Sequence, residues 1–545
     1  MRAISMRHPT RASSRGLVET INHAWISGWV EAHEEAHPRV WLSVNGRRIA
    51  GSYALQRSEN SEVLDGRRFF FPVSELWRYL SAEDLVEVIY EDVALPTANG
   101  QSSAALSTAK LSFQDLERGL DEGFVFNKKG QFRLSKLRNR DWQRSALSLY
   151  DRLRESFSCE FGLMLFPCYG TLLGAVRDEN FIGHDDDFDC AYISKHRTAA
   201  RLRSEFTTIA QRLSVVGYDV VPGKTCMKVA LPGPNGVRLD IFHSYFNREG
   251  LYRIPFGLAG SEPYRRSDLI GWATAKIGNQ EVPVPSDPGK LLGWIYGDNW
   301  RVPDPGFNWK RSRVFRCARA FPTAAQRAEI AWTDFYARAP RPDVSSFCRS
   351  LSALAGDCGA VIELGCGLGQ DSSRFAGLSE ALLVIGVDRA QIAIDRAVEG
   401  TRHAEHRGRL LYVAANAGSA FPRIYAEARR HSERQGKPVL VYVRRLLERM
   451  EEDEEAQLVE AVAAECGPGD WLALEIVEYD EAASRRSGRR IVKGFRKRID
   501  VAGLIWRLRD LGFEPTRTAR GASEGKLAVH HLLAVKRAGG AVRAS

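Results

Sequence analysis

Acidic residues crowd the segment DDDFDCAYI, in which Asp185, Asp187 and Asp189 are two positions apart. Alternate side chains of a strand share one face, so Asp187 and Asp189 would point the same way. Phe188 and Cys190 would then point into a core. Two carboxylates on one face repel each other unless a cation lies between them. Hard oxygen ligands favour Mg²⁺ or Mn²⁺, whose coordination shell substrate phosphates and water complete, so the spacing predicts a divalent-metal site.

A second stretch, GVRLDIFHSYF, contributes a further acid. Its apolar residues Val237, Leu239 and Ile241 alternate with the others, so Asp240 is a polar residue on a second strand. That position would let Asp240 complete the acidic cluster. The alternative is a surface loop of solvated aspartates. Apolar residues between the acids, and the glycine turn GTLLG that precedes them, favour the site.

A glycine-rich loop forms the second group of candidate residues. In GAVIELGCGLGQDSSRF an apolar strand runs into Gly365, Gly367 and Gly369, and a helix begins near Gln370. Glycines let the chain turn tightly and let a ligand approach the backbone. The next apolar strand ends in Asp388, where a carboxylate is placed to accept both ribose hydroxyls of an adenosine cofactor. Strand, loop, helix and acid in this order predict a nucleoside-binding site.

Three blocks must position these residues, and at ~150 residues per domain the chain of 545 residues is long enough for them. Residues 17–115 alternate like short strands between polar turns, which predicts a small all-β sandwich. Residues 116–318 open with a helical pattern and then mix strands with helices. Residues 325–537 repeat short apolar runs between helix signals, as buried parallel strands do. A basic arm (1–16) and a tail (538–545) flank these blocks.

Composition and charge exclude several classes of protein. No run of ~18 uncharged apolar residues exists, which excludes a transmembrane helix. The nine cysteines are scattered without CxxC pairs, so a reducing cytoplasm fits better than a disulfide framework or a structural zinc site. A net charge of +10 suits anionic partners in general. No nucleic-acid-binding module is visible, so we expect no nucleic-acid partner.

The N-terminal arm carries Arg2, Arg7, Arg11 and Arg15 and no acid. No apolar stretch follows, so a secretory signal is not expected. We interpret the segment as a solvated, disordered arm. Weak attraction to an anionic membrane surface is the alternative, and it would bring the protein to the inner face of the membrane.

The middle block resembles the LicD/fukutin family, which belongs to the nucleotidyltransferase-fold superfamily. The family pattern is a GTLLGavR segment, then fIPWDdDiDi, a later DIF and a YG-x-x-W, and this sequence matches it in order and spacing. The matching residues are Gly170–Arg177, Phe181-Ile182 before Asp185, Asp187 and Asp189, then Asp240-Ile241-Phe242, Val284-Pro285 and Tyr296-Gly297-Asp298-Asn299-Trp300. Gly183-His184 stands where the family usually has Pro-Trp, which affects the local turn rather than the ligands.

This resemblance implies an α+β nucleotidyltransferase-like fold. It also implies a transferase that moves a phosphorylated group, often phosphocholine or a polyol phosphate, from a CDP-linked donor to a glycan. A metal held by Asp187, Asp189 and Asp240 would neutralise the diphosphate and stabilise the leaving CMP. Asp240, or Asp185, would accept the proton of the attacking sugar hydroxyl. All four acids are therefore candidates for catalysis.

Residues just before the acids are candidates for donor binding: Gly170, Thr171, Gly174 and Arg177. The GTLLG turn offers backbone N–H groups to a phosphate, and Arg177 is a candidate clamp on the donor. An ordinary salt bridge is the alternative role for Arg177.

The glycine loop resembles motif I of class I S-adenosylmethionine-dependent methyltransferases. Its glycines are two apart and follow an acid, whereas a dinucleotide site would use Gly-x-Gly-x-x-Gly. The resemblance implies S-adenosylmethionine as cofactor, bound by Glu363, Gly365, Gly367, Gly369, Asp388 and Asn416. Asn416 falls where the family commonly has an acid near the adenine, and an amide can still hydrogen-bond that ring. The alternative is a Rossmann-like domain without catalysis.

Two charge runs complete the last block. Glu451–Glu455 predicts the start of a helix, because acids suit the positive end of the helix dipole. The basic run Arg485–Arg498 follows the strand WLALEIVE, where class I enzymes often place acceptor-binding segments. A solvated basic loop and a site for an anionic acceptor are both open here. The acceptor site would use Arg489, Arg490, Arg496 and Arg498.

Together these patterns predict a multidomain chain with an N-terminal all-β sandwich, a central α+β nucleotidyltransferase-like fold and a C-terminal α/β Rossmann-like methyltransferase. We expect a cytoplasmic fusion enzyme of surface-polysaccharide modification that uses Mg²⁺ (or Mn²⁺) and S-adenosylmethionine. Its partners would be a CDP-linked donor and a glycan or lipid-linked glycan acceptor, and its oligomeric state is open. The alternatives are a glycan-binding scaffold with degenerate catalytic domains, and two activities on unrelated substrates.

Overall fold

The computed structural model describes residues 15–31, 37–57, 66–98, 106–108, 110–233, 236–304, 307, 320–402, 408–478, 499–524 and 527–538. The chain divides into two compact units. The first comprises residues 1–210 and 218–323, and the second comprises residues 211–217 and 324–545. Most of the expected basic arm and the last residues of the expected tail lie outside the described residues.

Two four-stranded antiparallel sheets form the N-terminal part of the first unit. Their strands are β1 (Gly16–Ile21), β2 (Trp25–Glu31), β3 (Arg39–Val44), β4 (Arg47–Tyr53), β5 (Gln56–Arg57), β6 (Gly66–Pro72), β7 (Val86–Tyr90) and β8 (Val93–Ala94). One sheet has the order β1-β2-β6-β5 and the other β4-β3-β7-β8. Val40 and Leu42 of one sheet and Phe69 and Phe71 of the other belong to one buried core. Both sheets share it because the period of two sends alternate apolar residues to one side.

A helix and a hairpin extend this N-terminal core. Helix α1 (Phe113–Glu122) is followed by the antiparallel strands β9 (Phe124–Phe126) and β10 (Phe132–Leu134). Leu116 of the helix and Phe132 of the hairpin are buried in the same core as the two sheets. The hairpin is therefore packed onto the N-terminal sheets.

A mixed sheet forms the rest of the first unit. Its elements are α2 (Arg140–Ser156), β11 (Leu165–Pro167), α3 (Tyr169–Arg177), β12 (Phe188–Ile193), α4 (Ala199–Val215), β13 (Asp219–Pro222), β14 (Met227–Ala230), β15 (Arg238–Phe246), β16 (Tyr252–Arg253), β17 (Trp272–Ile277), β18 (Gln280–Pro285) and α5 (Pro288–Tyr296). The strand order is β11-β12-β15-β14-β13, with β16 paired to β15 and β17 paired to β18. Strands β12 and β15 run parallel, and Asp189 lies opposite Asp240. Phe188 and Cys190 are fully buried, as predicted.

The segment GTLLG is helical, and the expectation of a turn was wrong. It lies in the first two turns of α3, where Leu172 and Ala175 are buried. Each glycine in a helix costs about 1 kcal/mol relative to alanine, whereas burying one leucine side chain contributes about 1.5–3 kcal/mol. The apolar face therefore outweighs the glycines.

The second unit is built on a seven-stranded sheet. Its elements are α6 (Ala324–Arg338), α7 (Ser346–Ser350), α8 (Ser352–Asp357), β19 (Ala360–Leu364), α9 (Gln370–Ala376), β20 (Leu383–Asp388), α10 (Gln391–Thr401), β21 (Arg409–Ala414), α11 (Ala417–Glu433), β22 (Val439–Arg444), α12 (Glu452–Glu465), β23 (Trp471–Glu478), α13 (Val501–Asp510), β24 (Phe513–Glu524) and β25 (Leu527–Lys536). The strand order is β21-β20-β19-β22-β23-β25-β24. The first five strands are parallel, and β25 pairs antiparallel with both neighbours.

Both faces of this sheet are covered, which explains the continuous apolar runs of its strands. Ile362 and Leu364 belong to a core on one face, and Val361 belongs to a core on the other. Strand β19 lies between β20 and β22, so the strand order reverses there. Ligands of open α/β sheets bind outside the carboxyl ends of the strands at such a switch point. The helix predicted from the acidic run Glu451–Glu455 is confirmed as α12.

Cysteines and helix lengths bear on the environment of the chain. The eight cysteines within the described residues are free thiols, and seven of them are buried. Over the same part of the chain, none of the helices combines the length and the apolar character needed to cross a membrane.

Candidate functional sites

An acidic cluster lies at the start of β12. One carboxylate oxygen each of Asp185, Asp187 and Asp189 lies within 4.8 Å of the others. Asp189 is on the strand, whereas Asp185 and Asp187 precede it, so the expected regular strand face covers only part of the cluster. The Asp189 N–H donates to the Thr171 hydroxyl at 2.8 Å, which ties the strand to α3. The structure thus brings the three acids together.

The electrostatics of this cluster favour a cation. Burial, followed by the charges of Asp187 and Asp185, raises the pKa of Asp189 well above its usual value. Burial also raises the pKa of Asp185 to about 6, against the opposing charge of Lys128. Carboxylates that repel each other in a partly buried site are stabilised by a hard divalent cation. The donor set therefore fits Mg²⁺ or Mn²⁺.

Lys128, at the tip of the β9–β10 hairpin, contacts the cluster. Its Nζ lies 3.2 Å from Asp185 Oδ1 and 3.3 Å from Asp187 Oδ1. Burial opposes its charge, but the charges of Asp185 and Asp187 outweigh burial and raise the pKa of Lys128. Sequence reasoning missed this residue, although the turn sequence NKKG between two short apolar runs was a signal for a hairpin with exposed cations.

One cavity, the acidic cavity, is lined by Asp240 as well as by Asp185, Asp187 and Asp189. Asp240 is not among the three acids that lie within 4.8 Å of one another. Both of its carboxylate oxygens accept from Lys228 Nζ, at 2.6 and 2.5 Å. The pair forms because Lys228 lies opposite Asp240 in the β14–β15 register. The charge of Asp240 adds to the raised pKa of Asp189, after burial and the two nearer aspartates. Its role as a metal ligand or a base stays a prediction.

The four candidate donor-binding residues lie on α3. Gly170 lines the acidic cavity, and a Cβ there would collide with the Asp185 carboxylate. Thr171 accepts from Asp189, as described above, and Gly174 packs against the backbone of Asn180. Arg177 makes a bidentate pair with Asp178, at 2.9 and 2.8 Å. It lines a neighbouring cavity of about 310 Å³.

The acidic cavity itself has a volume of about 570 Å³. Besides the acids, its walls include Arg39, Tyr53 and Phe70 of the N-terminal sheets. Phe126 of the hairpin and Tyr296 at the end of α5 complete an aromatic lining. Sequence reasoning assigned the N-terminal region no part in this site.

In the second unit, the glycine loop connects β19 to α9. Gly365, Gly367 and Gly369 have φ angles of +78°, +53° and +78°, a region that side chains disfavour. The Gly367 N–H donates to Asp388 Oδ2 at 3.0 Å. The other oxygen of Asp388 accepts from the Ala390 N–H at 3.0 Å. The loop and the acid at the end of β20 are thus joined directly, as their order in the sequence predicted.

A cavity of about 400 Å³, which we call the cofactor cavity, lies against this loop. Gly365, Gly367 and Asp388 line it, together with Trp332 and Tyr336 of α6. The Tyr336 hydroxyl donates to Asp388 Oδ2 at 3.4 Å. Burial raises the pKa of Asp388. The aromatic residues of α6 were not predicted, because helix and loop are joined only by tertiary packing.

Two further predicted cofactor residues have structural contacts. Glu363 is buried within β19, where it accepts from the Ser372 hydroxyl. Burial, and then the charge of Asp371, raises the pKa of Glu363 to about 8. Asn416 caps α11 by accepting from the N–H groups of Gly418 and Ser419. The residues on either side of Asn416 in the sequence line the cavity.

The predicted acceptor residues Arg489, Arg490, Arg496 and Arg498 lie outside the described residues. Other arginines line the cofactor cavity: Arg389, Arg444, Arg445 and Arg449. Arg445 Nε lies 2.7 Å from Glu475 Oε1, and the Arg449 guanidinium lies 5.3 Å from the centre of the Trp332 ring. Arginine side chains therefore border this cavity, and three of them, Arg389, Arg444 and Arg445, are paired with acids.

Residues 162–287 match the protein-family model described as LicD/FKTN/FKRP, nucleotidyltransferase domain. The chain is also 25% identical over 149 residues to an uncharacterized protein of Rickettsia typhi (strain ATCC VR-144 / Wilmington). That alignment covers 27% of this chain and 44% of the relative, so the chain spans less than half the length of this relative. The chain carries a LicD domain in its middle region, and the resemblance read from the motifs is confirmed.

Solved structures similar to this chain include methyltransferases. Magnesium protoporphyrin IX methyltransferase (ChlM) from Synechocystis PCC 6803, with bound SAH, is 16% identical, and the match covers 39% of this chain and 87% of that chain at a TM-score of 0.27. The N-methyltransferase NodS from Bradyrhizobium japonicum WM9 is 16% identical, with 38% and 98% covered and a TM-score of 0.27. The glycopeptide N-methyltransferase MtfA is 17% identical, with 36% and 96% covered and a TM-score of 0.28. The strand order, glycine loop and cavity of the second unit carry the assignment of a cofactor site.

Proposed function

We propose that the chain is a bifunctional transferase of surface-polysaccharide modification. The LicD domain would transfer a phosphorylated group, phosphocholine or a polyol phosphate, from a CDP-linked donor to a glycan. The second unit would methylate the product or its precursor with S-adenosylmethionine. The observation that carries the first activity is the acidic cavity, in which Asp185, Asp187 and Asp189 converge within a LicD domain.

Asp185, Asp187 and Asp189 are the residues that would hold Mg²⁺ or Mn²⁺, with Asp240 as a further candidate. A bound divalent ion supplies charge neutralisation at the diphosphate of the donor and at the leaving nucleotide. The Thr171 hydroxyl, which accepts from the Asp189 N–H, holds the strand end that carries this carboxylate. The glycine at position 170 leaves room for Asp185 against α3.

Asp240 is the proposed acceptor of the proton from the attacking sugar hydroxyl. It lines the cavity opposite Asp189, and two hydrogen bonds from Lys228 fix the orientation of its carboxylate. A base of this kind acts when the hydroxyl lies within about 2.6–3.2 Å. Asp185 is the alternative, because its carboxylate lines the same cavity.

For methyl transfer, Asp388 is the proposed partner of both ribose hydroxyls of the cofactor. The positive φ angles of Gly365 and Gly367 open the loop backbone to a ligand, and Trp332 and Tyr336 offer an apolar wall. Methyl transfer needs mainly the positioning of the acceptor against the sulfonium. We therefore assign no catalytic base in the second unit.

The two activities on one chain would keep intermediates near both sites through a raised effective concentration. We place the protein in the cytoplasm, with a lipid-linked glycan as one form of the acceptor and contact with the inner face of the membrane as part of the proposal. A glycan-binding scaffold with degenerate catalytic domains is disfavoured, because the three aspartates and the loop glycines are all present and assembled.

The test is an assay of the purified full chain with CDP-choline and CDP-ribitol as donor probes, bacterial polysaccharide as acceptor and labelled S-adenosylmethionine. We expect CMP release that needs Mg²⁺ or Mn²⁺ and stops in excess chelator. Full CMP release in excess chelator would remove the metal assignment. A wild-type chain that neither binds S-adenosylmethionine nor transfers its methyl group would remove the methyltransferase assignment.

A further inference from the structure

The tip of the β9–β10 hairpin reaches the acidic cluster from outside the LicD domain. Lys128 lies before the matched residues 162–287, yet its Nζ contacts both Asp185 and Asp187, at 3.2 and 3.3 Å. We propose that this hairpin is a diphosphate-binding arm, in which Lys128 supplies a cation to the diphosphate of the nucleotide donor. This inference rests on the proposed function of the acidic cavity and deepens it.

The arm is fixed to the N-terminal sheets. Glu75 binds it three times: its N–H donates to the Gly130 carbonyl at 2.8 Å, and its carboxylate accepts from the Phe132 N–H at 3.0 Å and pairs with Arg133 at 2.8 Å. Gly130 has a φ of +72°, and a Cβ there would collide with the backbone of Ser74. These contacts therefore fix the position of the hairpin, and with it the position of Lys128 beside the acids.

Asn127 sets the shape of the tip and separates the two lysines. Its side-chain oxygen accepts from the N–H groups of Lys129 and Gln131, each at 2.9 Å. Its amide donates to Asp186 at 2.7 Å, and Lys129 pairs with the same acid at 2.9 Å. Lys128 is consequently the lysine that lines the cavity and contacts the three-acid cluster.

The charges that line the cavity indicate that the ligand of Lys128 is an anionic diphosphate. Three carboxylates outweigh the two positive charges of one divalent ion, so an incoming diphosphate still meets net negative charge unless a further cation is present. Among the described residues, the lysines and arginines that line the cavity are Lys128 and Arg39. Arg39 lies over the Trp41 ring, 4.0 Å from its centre, whereas Lys128 lies on the acids. An ammonium on a flexible stem can exchange carboxylate oxygens for phosphate oxygens.

Two effects of opposite sign follow from this position. A divalent ion that binds Asp185 and Asp187 competes with the ammonium for the same oxygens, so removal of the Lys128 charge should tighten binding of the metal alone. The same change should weaken binding of a nucleotide diphosphate when the metal is saturating. If Lys128 had only a structural role, its replacement would not change these two affinities in opposite directions.

The experiment compares Lys128→Met with Lys129→Met in the full chain, using calorimetry with Mn²⁺ alone and then with CDP at saturating Mn²⁺. Methionine keeps an unbranched apolar stem and removes the charge, and Lys129 is the matched control on the same turn. For Lys128→Met we expect Mn²⁺ alone to bind at least about threefold tighter and CDP at least about tenfold weaker. Lys129→Met should stay within about twofold of the wild type for both probes.

Lys128→Arg supplies a second check, because it keeps the charge and should retain most of the CDP affinity. Unchanged CDP affinity in Lys128→Met, or weaker binding of Mn²⁺ alone, would overturn the diphosphate arm while the wild type still bound both probes. A wild-type chain that binds neither Mn²⁺ nor CDP would instead overturn the proposed function of the cavity. Glu75→Gln, which weakens the attachment of the arm, should lower CDP affinity without removing it.

Discussion

The acidic cavity and the cofactor cavity are assembled in different ways. The cofactor cavity takes its loop and its acid from neighbouring strand ends of one parallel sheet, since Gly365 and Gly367 follow β19 and Asp388 ends β20. The acidic cavity collects residues from Arg39 to Phe307, across two N-terminal sheets, a hairpin and a mixed sheet. A site built from consecutive elements can be read from a local motif, whereas a site built from distant segments needs the tertiary fold.

The largest expected effect is the loss of CMP release when an aspartate of the acidic cluster is replaced. Asp189→Asn should lower CMP release by about 10²–10³-fold or more, because it removes a carboxylate from the proposed metal and charge-stabilising site. Binding of S-adenosylmethionine should be unchanged, since that ligand belongs to the other unit. Asp141→Asn is the control, because Asp141 is exposed on α2 and pairs with Arg144 away from the cavity. Normal CMP release by Asp189→Asn would contradict the assignment.

Substitutions at the glycine loop should have the opposite selectivity: they should weaken S-adenosylmethionine binding and leave CMP release unchanged. Asp388→Ala should weaken S-adenosylmethionine binding about tenfold or more, because hydrogen bonds to a charged group contribute about 1.5–3 kcal/mol. Gly367→Val should weaken it further, since φ is +53° there and a Cβ would lie 3.1 Å from the Tyr336 hydroxyl. Calorimetry measures the binding, and CMP release should stay normal. Asp395→Ala, at an exposed position on α10, should bind the cofactor like the wild type, and equal losses in both aspartate variants would refute the ribose contact.

A third set of variants tests whether phospho-transfer and methylation occur in sequence. If methylation follows phospho-transfer, cells with Asp187→Asn should make glycan that lacks both phosphate and methyl, as read by mass spectrometry and phosphorus NMR. Replacing Arg489, Arg490, Arg496 and Arg498 with Gln should raise the Michaelis constant for the phosphorylated acceptor, because guanidinium groups match phosphate oxygens. Normal methylation of unphosphorylated glycan would show independent activities or methylation first.

The smallest effect concerns stability. The pKa of Glu363 is about 8 in the folded chain and 4.5 in its ordinary state, so the folded chain keeps this group protonated where the unfolded chain ionises it. The folded state therefore loses stability as pH rises from about 4.5 to about 8. Glu363→Gln should remove this loss, so its free energy of unfolding relative to the wild type should rise between pH 5 and pH 8 in urea denaturation. A difference that does not change with pH would contradict the assigned pKa.

The sequence predicted the chemistry-bearing residues better than their neighbours. Aspartates two apart at the start of an apolar strand indicated the acidic cluster, and glycines between an apolar strand and a helix indicated the loop near Asp388. Both patterns are local. The order of elements placed the loop beside Asp388, whereas the period of the strand did not place Asp187, which precedes β12. Helix α12 was likewise predicted, because acids at a helix start interact favourably with its dipole.

Residues joined only by tertiary packing could not be predicted in this way. Lys128 and Arg39 reach the acidic cavity from a hairpin and a sheet far away in sequence, and Tyr336 reaches Asp388 from a helix that precedes β19. The two glycines of GTLLG favoured a turn, but burial of the leucines in α3 decided for a helix. The structure shows Asn416 capping α11, a contact that was not predicted, and its expected contact with the adenine stays a prediction.

The central claim is that one chain holds a metal–nucleotide site at the acidic cluster and a separate S-adenosylmethionine site at the glycine loop. The most direct measurement is a crystal structure of the full chain grown with Mn²⁺, CDP and S-adenosylhomocysteine, with anomalous scattering recorded for manganese. We predict a manganese peak bound by Asp185, Asp187 and Asp189, and S-adenosylhomocysteine with its ribose on Asp388. A manganese peak away from these aspartates would contradict the account. S-adenosylhomocysteine bound at full occupancy away from the glycine loop would contradict it as well.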